Sequence, residues 1–209
     1  MPLHSRRSWL MLAEYLPGLL LSHFLWPHHY RQIQFFDQAF LGPMQRRGPT
    51  NFAEVGVGTG VYTGRILRRI ADSSGEGYDI SPSSCAFARK HVEAIGASQR
   101  FRLNEQDILV RPITPTPWLV CVEVLEHLED PVTFLRALKT GLAPGGRAFI
   151  TAALNAAHSD HIYLYRTADE VLTHLEQAGF VLEQGFVGAA YGPPSPGVPV
   201  PLAAAFVLS

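Results

Sequence analysis

Glu54-Val-Gly-Val-Gly-Thr-Gly60 sets three glycines at alternate positions, just after an apolar run and just before an amphipathic stretch. Glycines between a strand and a helix let a ligand come close to the backbone, and the helix N-terminus offers unpaired N–H groups to an anion. A turn alone needs one glycine, whereas three in phase with carboxylates further along ask for a ligand. The register is G-x-G-x-G. Val61 stands where the third glycine of the dinucleotide fingerprint G-x-G-x-x-G belongs, which turns the loop away from that form.

Outward from the loop, short apolar runs alternate with amphipathic stretches, the mark of an α/β chain. Asn51 to Val57 reads as a buried strand, Val61 to Ala71 as a helix, and Glu76 to Ile80 as a second strand ending in Asp79. Ser81 or Ser83 caps a helix that runs to about Ile95, with Pro82 in its first turn. Gln99 to Asn104 and Trp118 to Val124 are the third and fourth strands. Pro131 to Gly141 is a helix begun by Asp130, and the turn Ala143-Pro-Gly-Gly146 delivers a fifth strand, Arg147 to Ala153. A helix from Thr167 to Ala178 is stopped by Gly179. Val181 to Ala190 and Ala203 to Leu208 have no helix between them, so a hairpin joins them through the stiff, proline-rich Tyr191 to Pro201. The expected architecture is a doubly wound, seven-stranded, mostly parallel sheet with the last strand antiparallel. Gly48-Pro49 divides it from a helical, aromatic-rich N-terminal extension, giving a lid over 1–48 and a ligand-binding catalytic domain over 49–209.

The 209 residues suffice for one well-buried core and leave no room for a second domain of ordinary size. A formal net charge of -1 provides no broad positive field, which makes nucleic acid a poor partner. With 17% charged and 47% apolar residues, the chain is far from a disordered composition. Cys85 and Cys121 fall in a predicted helix and a predicted strand, make no disulfide framework, and suit a reducing cytoplasm. Ser8 to Trp26 contains Glu14, Pro17, Gly18 and His23, so it is too broken for a membrane span and lacks a leader-like cleavage pattern. A homodimer is compatible with this composition.

Asp79 ends the second strand at the distance where a carboxylate can accept both hydroxyls of a ribose, which does not yet separate nicotinamide from other nucleotides. Further on, Asp107-Ile108 follows the third strand and offers an acidic acceptor and an apolar face, suited to an adenine amino group and ring. Cys121-Val-Glu-Val-Leu-Glu-His-Leu-Glu-Asp-Pro131 follows the fourth strand, and Leu142-Ala-Pro-Gly-Gly146 precedes the fifth. Taken together, residues 50–180 resemble the class I S-adenosylmethionine-dependent methyltransferases, in particular the ubiquinone-pathway O-methyltransferase branch. That resemblance implies S-adenosylmethionine as cofactor, with Gly56, Gly58 and Gly60 against its amino-carboxypropyl end. It implies that Asp79, with Ile80 beside it, holds the ribose, that Asp107 and Ile108 hold adenine, and that Glu123 lies near the methionine end. Glu54 would orient the glycine loop.

Glu123, Glu126 and His127 are spaced i, i+3 and i+4, so one helical turn would set all three on one face. Two carboxylates and an imidazole suit a divalent metal ion, and His127 alone could instead take a proton from a substrate hydroxyl. The cluster is similar to one in ubiquinone-pathway O-methyltransferases and small-RNA 2'-O-methyltransferases, where it binds a metal. It also resembles the Leu-Glu-His-Leu-x-Asp-Pro run of metal-free relatives. His158, Asp160 and His161 lie just after the fifth strand, on the edge where open α/β sheets bind ligands, and His161 is a candidate second base or ligand.

Methyl transfer from a sulfonium is an in-line displacement, so a protein aligns the nucleophile, excludes water and removes a proton. Trp9, Tyr15, Phe24, Trp26, His28, His29, Tyr30, Phe35 and Phe36 make the lid aromatic and apolar, which fits a small, hydrophobic or aromatic acceptor. Tyr30 and Arg31 are the polar pair expected to face it. Oxygen is the favoured acceptor atom because His127 is a plausible base. The other readings are 2'-O-methylation of a small RNA end, an NAD-dependent oxidoreductase, and a non-catalytic nucleotide-binding module on the same fold.

Overall fold

The computed structural model describes residues 11–195 and 197–209. Seven strands form one sheet: β1 (Asn51–Val55), β2 (Ser74–Asp79), β3 (Phe101–Glu105), β4 (Thr116–Cys121), β5 (Leu142–Leu154), β6 (Leu182–Ala189) and β7 (Leu202–Leu208). Their order is β3-β2-β1-β4-β5-β7-β6. The first five are parallel, and β7 runs antiparallel between β5 and β6, as the sequence pattern predicts. β6 is therefore parallel to β5 and ends on the same edge.

Differences from the expected boundaries have local causes. β3 begins at Phe101 because Ser98–Arg100 forms a tight helical turn. β5 begins at Leu142, before the glycines, because Leu142 already pairs with Thr116 and the register shifts before Trp118 meets Arg147. β4 ends at Cys121, short of the predicted Val124, where the chain turns into the site.

The described N-terminal residues are helical. A wide turn at Met11–Tyr15 leads into α1 (Leu16–Leu25), followed by α2 (Pro27–Phe35), a second wide turn (Phe36–Leu41) and α3 (Gly42–Arg47). Trp26 breaks α1 from α2 with an extended ψ of 124°, because Pro27 disfavours helical geometry in the residue before it. The remaining helices are α4 (Val61–Arg69), α5 (Pro82–Ala94), α6 (Pro131–Thr140) and α7 (Ala168–Gln177). Ser81, Asp130 and Thr167 cap α5, α6 and α7 by accepting backbone N–H bonds from Ser84, Thr133 and Glu170.

Both sheet faces are covered, so the central strands are apolar on both sides. Trp118 and Val120 of β4 face Ile33, Phe36, Phe40, Tyr62, Ile66 and Ala88, the layer made by the N-terminal helices, α4 and α5. Leu119 and Cys121 face Phe134, Leu135, Leu138, Val171 and Leu175 of α6 and α7. Phe149 of β5 anchors the first layer, with ring centroids 5.0 Å from Phe36 and 5.9 Å from both Phe40 and Tyr62. Offset and edge-on aromatic pairs of this kind add about 0.5–1.5 kcal/mol each beyond area burial. Asp37 adds an ion pair to Arg65 of α4, with Arg65 Nε 2.9 Å from Asp37 Oδ1. The N-terminal segment is thus seated on the sheet by its own core contacts.

β2 contains glycines because its neighbours lie across it. The rings of Phe52 and Phe101 stack at 5.7 Å, and a Cβ on Gly77 would come within 2.8 Å of Phe101 Cζ and 2.9 Å of Leu103 Cδ2. Gly77→Val should therefore destabilise the fold by about 1–3 kcal/mol, the usual cost of overpacking. Urea unfolding measures it, and an unchanged midpoint would show that the rings move aside freely.

Candidate active site

The carboxyl ends of β1, β2, β4 and β5 converge on one edge, where the glycine loop sits. Glu54, buried near the end of β1, accepts a bond from the Thr63 backbone N at 2.9 Å and another from the Thr63 hydroxyl, pinning the first turn of α4. Burial pushes its carboxyl up to about 8. Gly56 and Gly60 both have φ of 71°. At Gly56 a Cβ would lie 2.3 Å from Val124 Cγ2, so only glycine lets the loop rest on the segment after β4. His91 of α5 holds the other side through Nδ1, 3.0 Å from Thr59 O.

Asp79 is joined to this loop. Its Oδ2 accepts from Gly58 N at 3.0 Å and its Oδ1 from Ser81 N at 2.8 Å, and each oxygen retains a second lone pair for a hydroxyl. Burial raises its pKa, and the two backbone donors pull it back. Ile80 stands beside it, 74% exposed. Asp107 is exposed, with Oδ1 accepting from Leu109 N at 2.8 Å. Ile108, in contrast, is buried in the core, and the exposed apolar side chains at this place are Leu109 and Val110.

The segment after β4 differs from the single helical turn expected for Glu123, Glu126 and His127. Only Leu125–His127 forms a tight turn, and Glu123 lies outside it with φ of 51°, a strained value for a residue with a side chain. Thr151 of β5 holds Glu123 there, its Oγ1 accepting from Glu123 N at 3.0 Å and donating to Glu123 Oε1 at 2.7 Å. The group whose ligand atoms all lie within 4.8 Å of one another is Glu126, His127 and His161. His161 joins because the loop after β5 is bound to the turn: Ile162 N and Tyr163 N both donate to Glu126 O, at 2.8 and 2.9 Å.

Both imidazoles present the same atom. His127 Nδ1 lies 2.8 Å from Asp160 O and His161 Nδ1 lies 2.6 Å from Ala156 O. A carbonyl only accepts, so Nδ1 carries the proton in each neutral ring and Nε2 keeps its lone pair. Burial lowers the His161 pKa, which favours the neutral form. His158 packs edge-on to His161 with ring centroids 5.0 Å apart, outside the convergent group. Both carboxylate oxygens of Glu126 are buried without a hydrogen-bond partner, and burial together with the neighbouring Glu123 raises its pKa well above the usual carboxylate range.

The N-terminal segment reaches this edge. Met11–Tyr15 packs on α5, and Tyr15 Oη donates to Asp160 Oδ2 at 3.3 Å. Burial and the adjacent Asp160 raise the Tyr15 hydroxyl to about 12. Tyr30 and Arg31, the polar pair expected to face a ligand, are instead exposed, and Phe36 belongs to the core. Trp9 lies outside the described residues. The polar groups turned inward are Ser22, His23, His28, His29 and Gln32, which sequence reasoning missed in part because an alternating aromatic and polar helix has no single obvious inner face. Gln32 Nε2 donates to Tyr62 Oη at 2.9 Å, and His29 Nδ1 is 3.0 Å from Ser22 Oγ.

Residues 53–148 match the family model of a methyltransferase domain. The ubiquinone biosynthesis O-methyltransferase of Xylella fastidiosa is 30% identical over 99 residues, which cover 47% of this chain and 39% of that protein. The match to the enzyme of the same name in Aeromonas salmonicida covers 41% of it, so the chain spans about two fifths of the length of these relatives. A solved S-adenosylmethionine-dependent methyltransferase from Geobacter sulfurreducens, in complex with S-adenosyl-L-homocysteine, superposes with a TM-score of 0.62 at 15% identity, covering 82% of this chain and 89% of that one. An O-methyltransferase family 2 protein from Planctomyces limnophilus, in complex with apigenin, does so with a TM-score of 0.64 at 16% identity, covering 87% and 60%. At such identities the structural likeness speaks for the fold. Residues 53–148 thus match a methyltransferase domain and the solved methyltransferases share the fold, in line with what the glycine loop and the acids after it implied. Among the described residues no helix is long and apolar enough to cross a membrane.

The buried histidines of the N-terminal helices make stability depend on pH. Burial pushes His23 down to about 4 and, with help from His28 and His23, His29 to about 3, against an ordinary value of 6.5. Below 6.5 the unfolded chain binds protons that the folded chain refuses, so stability falls as pH drops from about 6.5 toward 4. His23→Phe removes one such loss and should gain about 2 kcal/mol on the wild type between about pH 7 and pH 5. The measurement is the difference in melting temperature across that range, and a difference independent of pH would contradict a neutral buried His23.

Proposed function

We propose that this chain is an S-adenosylmethionine-dependent methyltransferase that transfers a methyl group to an oxygen of a small, uncharged, aromatic molecule under the N-terminal lid. The observation that carries the proposal is the junction of Gly58 N and Asp79 Oδ2 at the sheet edge, with Glu126, His127 and His161 drawn together on the segments that follow β4 and β5. Gly56, Gly58 and Gly60 would back the amino-carboxypropyl end, Asp79 would accept the ribose hydroxyls, and Ile80, Asp107 and Leu109 would border adenine. The bound cofactor supplies an electrophilic methyl carbon on a sulfonium.

With the cofactor in place, His127 Nε2 would take the proton of the acceptor hydroxyl and so leave the oxygen nucleophilic. Asp160 O holds the ring so that this nitrogen faces the site. Tyr15 and the lid exclude water, which would otherwise solvate the nucleophile. His161 Nε2 is the second candidate base.

A divalent metal ion is the second reading of the same residues, favoured by the unpartnered oxygens of Glu126. A buried carboxyl beside another carboxyl needs either a proton or a cation, and Glu126, His127 and His161 are a hard-to-borderline donor set already drawn together. The carbonyl bonds to both Nδ1 atoms are the outer contacts that metal-bound histidines use. These three residues would hold the ion, with Glu123 close behind, and the ion would supply positive charge that lowers the pKa of an acceptor hydroxyl. Calorimetry with magnesium, manganese and zinc ions should show binding that is lost in Glu126→Gln. Equal heats in the variant and the wild type would exclude this site.

For the cofactor, titration with S-adenosylhomocysteine should give saturable binding and titration with NAD none. Asp79→Ala should weaken the former by about 1–3 kcal/mol through lost charge-assisted hydrogen bonds. Binding of NAD alone would end the methyltransferase reading, and unchanged affinity in Asp79→Ala would remove the ribose role.

A further inference from the structure

Two side chains of one strand–helix unit, β2 with α5, grip the glycine loop. Asp79, at the end of β2, accepts from Gly58 N at 3.0 Å. His91, in the last turn of α5, has Nδ1 3.0 Å from Thr59 O. A carbonyl only accepts, so this Nδ1 carries a proton whether the ring is neutral or charged, and the contact survives a change at Nε2. Thr59 is 4% exposed, which leaves its carbonyl little water to turn to if the imidazole is withdrawn.

The packing around His91 makes room for that reach. Gly64 lies inside α4, where a glycine costs helix stability. A Cβ there would stand 3.0 Å from His91 Nε2 and 3.2 Å from Cε1, so the missing side chain lets the imidazole lie against the helix. Ala88 is three residues before His91 on the same face of α5, and a Cβ on Gly60 would come within 3.3 Å of its Cβ. The two helices therefore approach closely along Gly60 and Gly64 on one side and Ala88 and His91 on the other. Thr59 and Gly60 share a peptide unit, and its N–H donates to Val57 O at 2.8 Å. With Val57 on the N–H and His91 on the carbonyl, both ends of that peptide are held.

We propose that His91 is a positioning residue for the cofactor, fixing the Thr59–Gly60 peptide so that the loop and the start of α4 turn their backbone to the amino-carboxypropyl end of S-adenosylmethionine. The proposal rests on the methyltransferase reading and adds to it a residue that acts through Thr59. Gly60 enters α4 from a left-handed conformation, with φ of 71°. Rotation of the peptide before it would swing the N–H groups of the first helical turn, which have no intrahelical partner, away from a carboxylate. A loop held in advance loses less freedom when a ligand binds, so the contact is read as affinity. Asp79 and His91 thus tie the ribose side and the methionine side of the site to one helix, α5.

The test uses the whole chain and calorimetric titration with S-adenosylhomocysteine. His91→Leu should weaken binding about tenfold, the loss expected for one hydrogen bond that preorganises the loop. His91→Asn should return the affinity to within about threefold of the wild type, because the asparagine amide nitrogen lies as many bonds from the backbone as Nδ1 does. His91→Gln should not, since its amide nitrogen falls one bond further out, where Nε2 lies. A second readout needs no ligand: the Gly60 amide resonance of labelled protein should shift in His91→Leu and return in His91→Asn, because Gly60 N shares its peptide bond with the Thr59 carbonyl. Wild-type affinity in His91→Leu, equal affinities in the Leu and Asn variants, affinities that merely follow melting temperature, or a Gly60 resonance indifferent to the substitution would each overturn the proposal. If His91→Leu fails to fold, His91→Gln supplies the same comparison with His91→Asn. Failure of the wild type to bind S-adenosylhomocysteine at all would instead strike the methyltransferase reading, and the Gly60 resonance would still decide whether His91 holds the loop.

Discussion

The site depends on the seat that the Glu54 carboxyl makes for the first turn of α4. A carboxyl buried at the end of a central strand is costly unless its oxygens are used, and the backbone and hydroxyl of Thr63 use them. With Thr63 held, Gly60 must enter the helix from a left-handed conformation. The loop before it then folds back onto Asp79. On the other side of the same turn, Tyr62 is driven between Phe36 and Phe149, where the N-terminal helices find it. One buried contact thus sets both the glycine loop and the face on which the N-terminal helices pack.

A second constraint ties the chemistry together. The carbonyl of Glu126 accepts from Ile162 and Tyr163, so the turn after β4 and the loop after β5 are bound to each other. Backbone carbonyls at Asp160 and Ala156 then choose the tautomer of His127 and His161, with the Asp160 carboxylate also 3.9 Å from His127 Nδ1. The strain at Glu123 is balanced by Thr151, whose hydroxyl both accepts and donates there. Either a proton transfer or a bound cation can use the resulting pair of free nitrogens, because both need the same unprotonated Nε2.

Much of the fold was legible in the sequence because period-two burial and cap residues act locally. Asp130 before Pro131, and Ser81 before Pro82, mark helix starts whatever lies around them. The strand ends were less legible: Leu142 pairs with Thr116 although a turn follows it, and that pairing depends on a partner strand distant in sequence. Ile108 reads as a ring contact beside Asp107, yet the core takes it, since a buried apolar residue gains more from packing than a loop position can return.

The sequence by itself determined the alternation of strands and helices, the glycine register that departs from the dinucleotide form, and the acids at the strand ends, because each follows from residue types a few positions apart. Tertiary structure alone decided that His161 joins Glu126 and His127, and that Glu123 stands outside their turn. It also decided that the N-terminal helices turn His23, His28 and Gln32 inward while leaving Tyr30 and Arg31 in water. Those outcomes hang on contacts across the sheet edge and against Tyr62, and no local pattern records which face of a mixed helix such contacts will select.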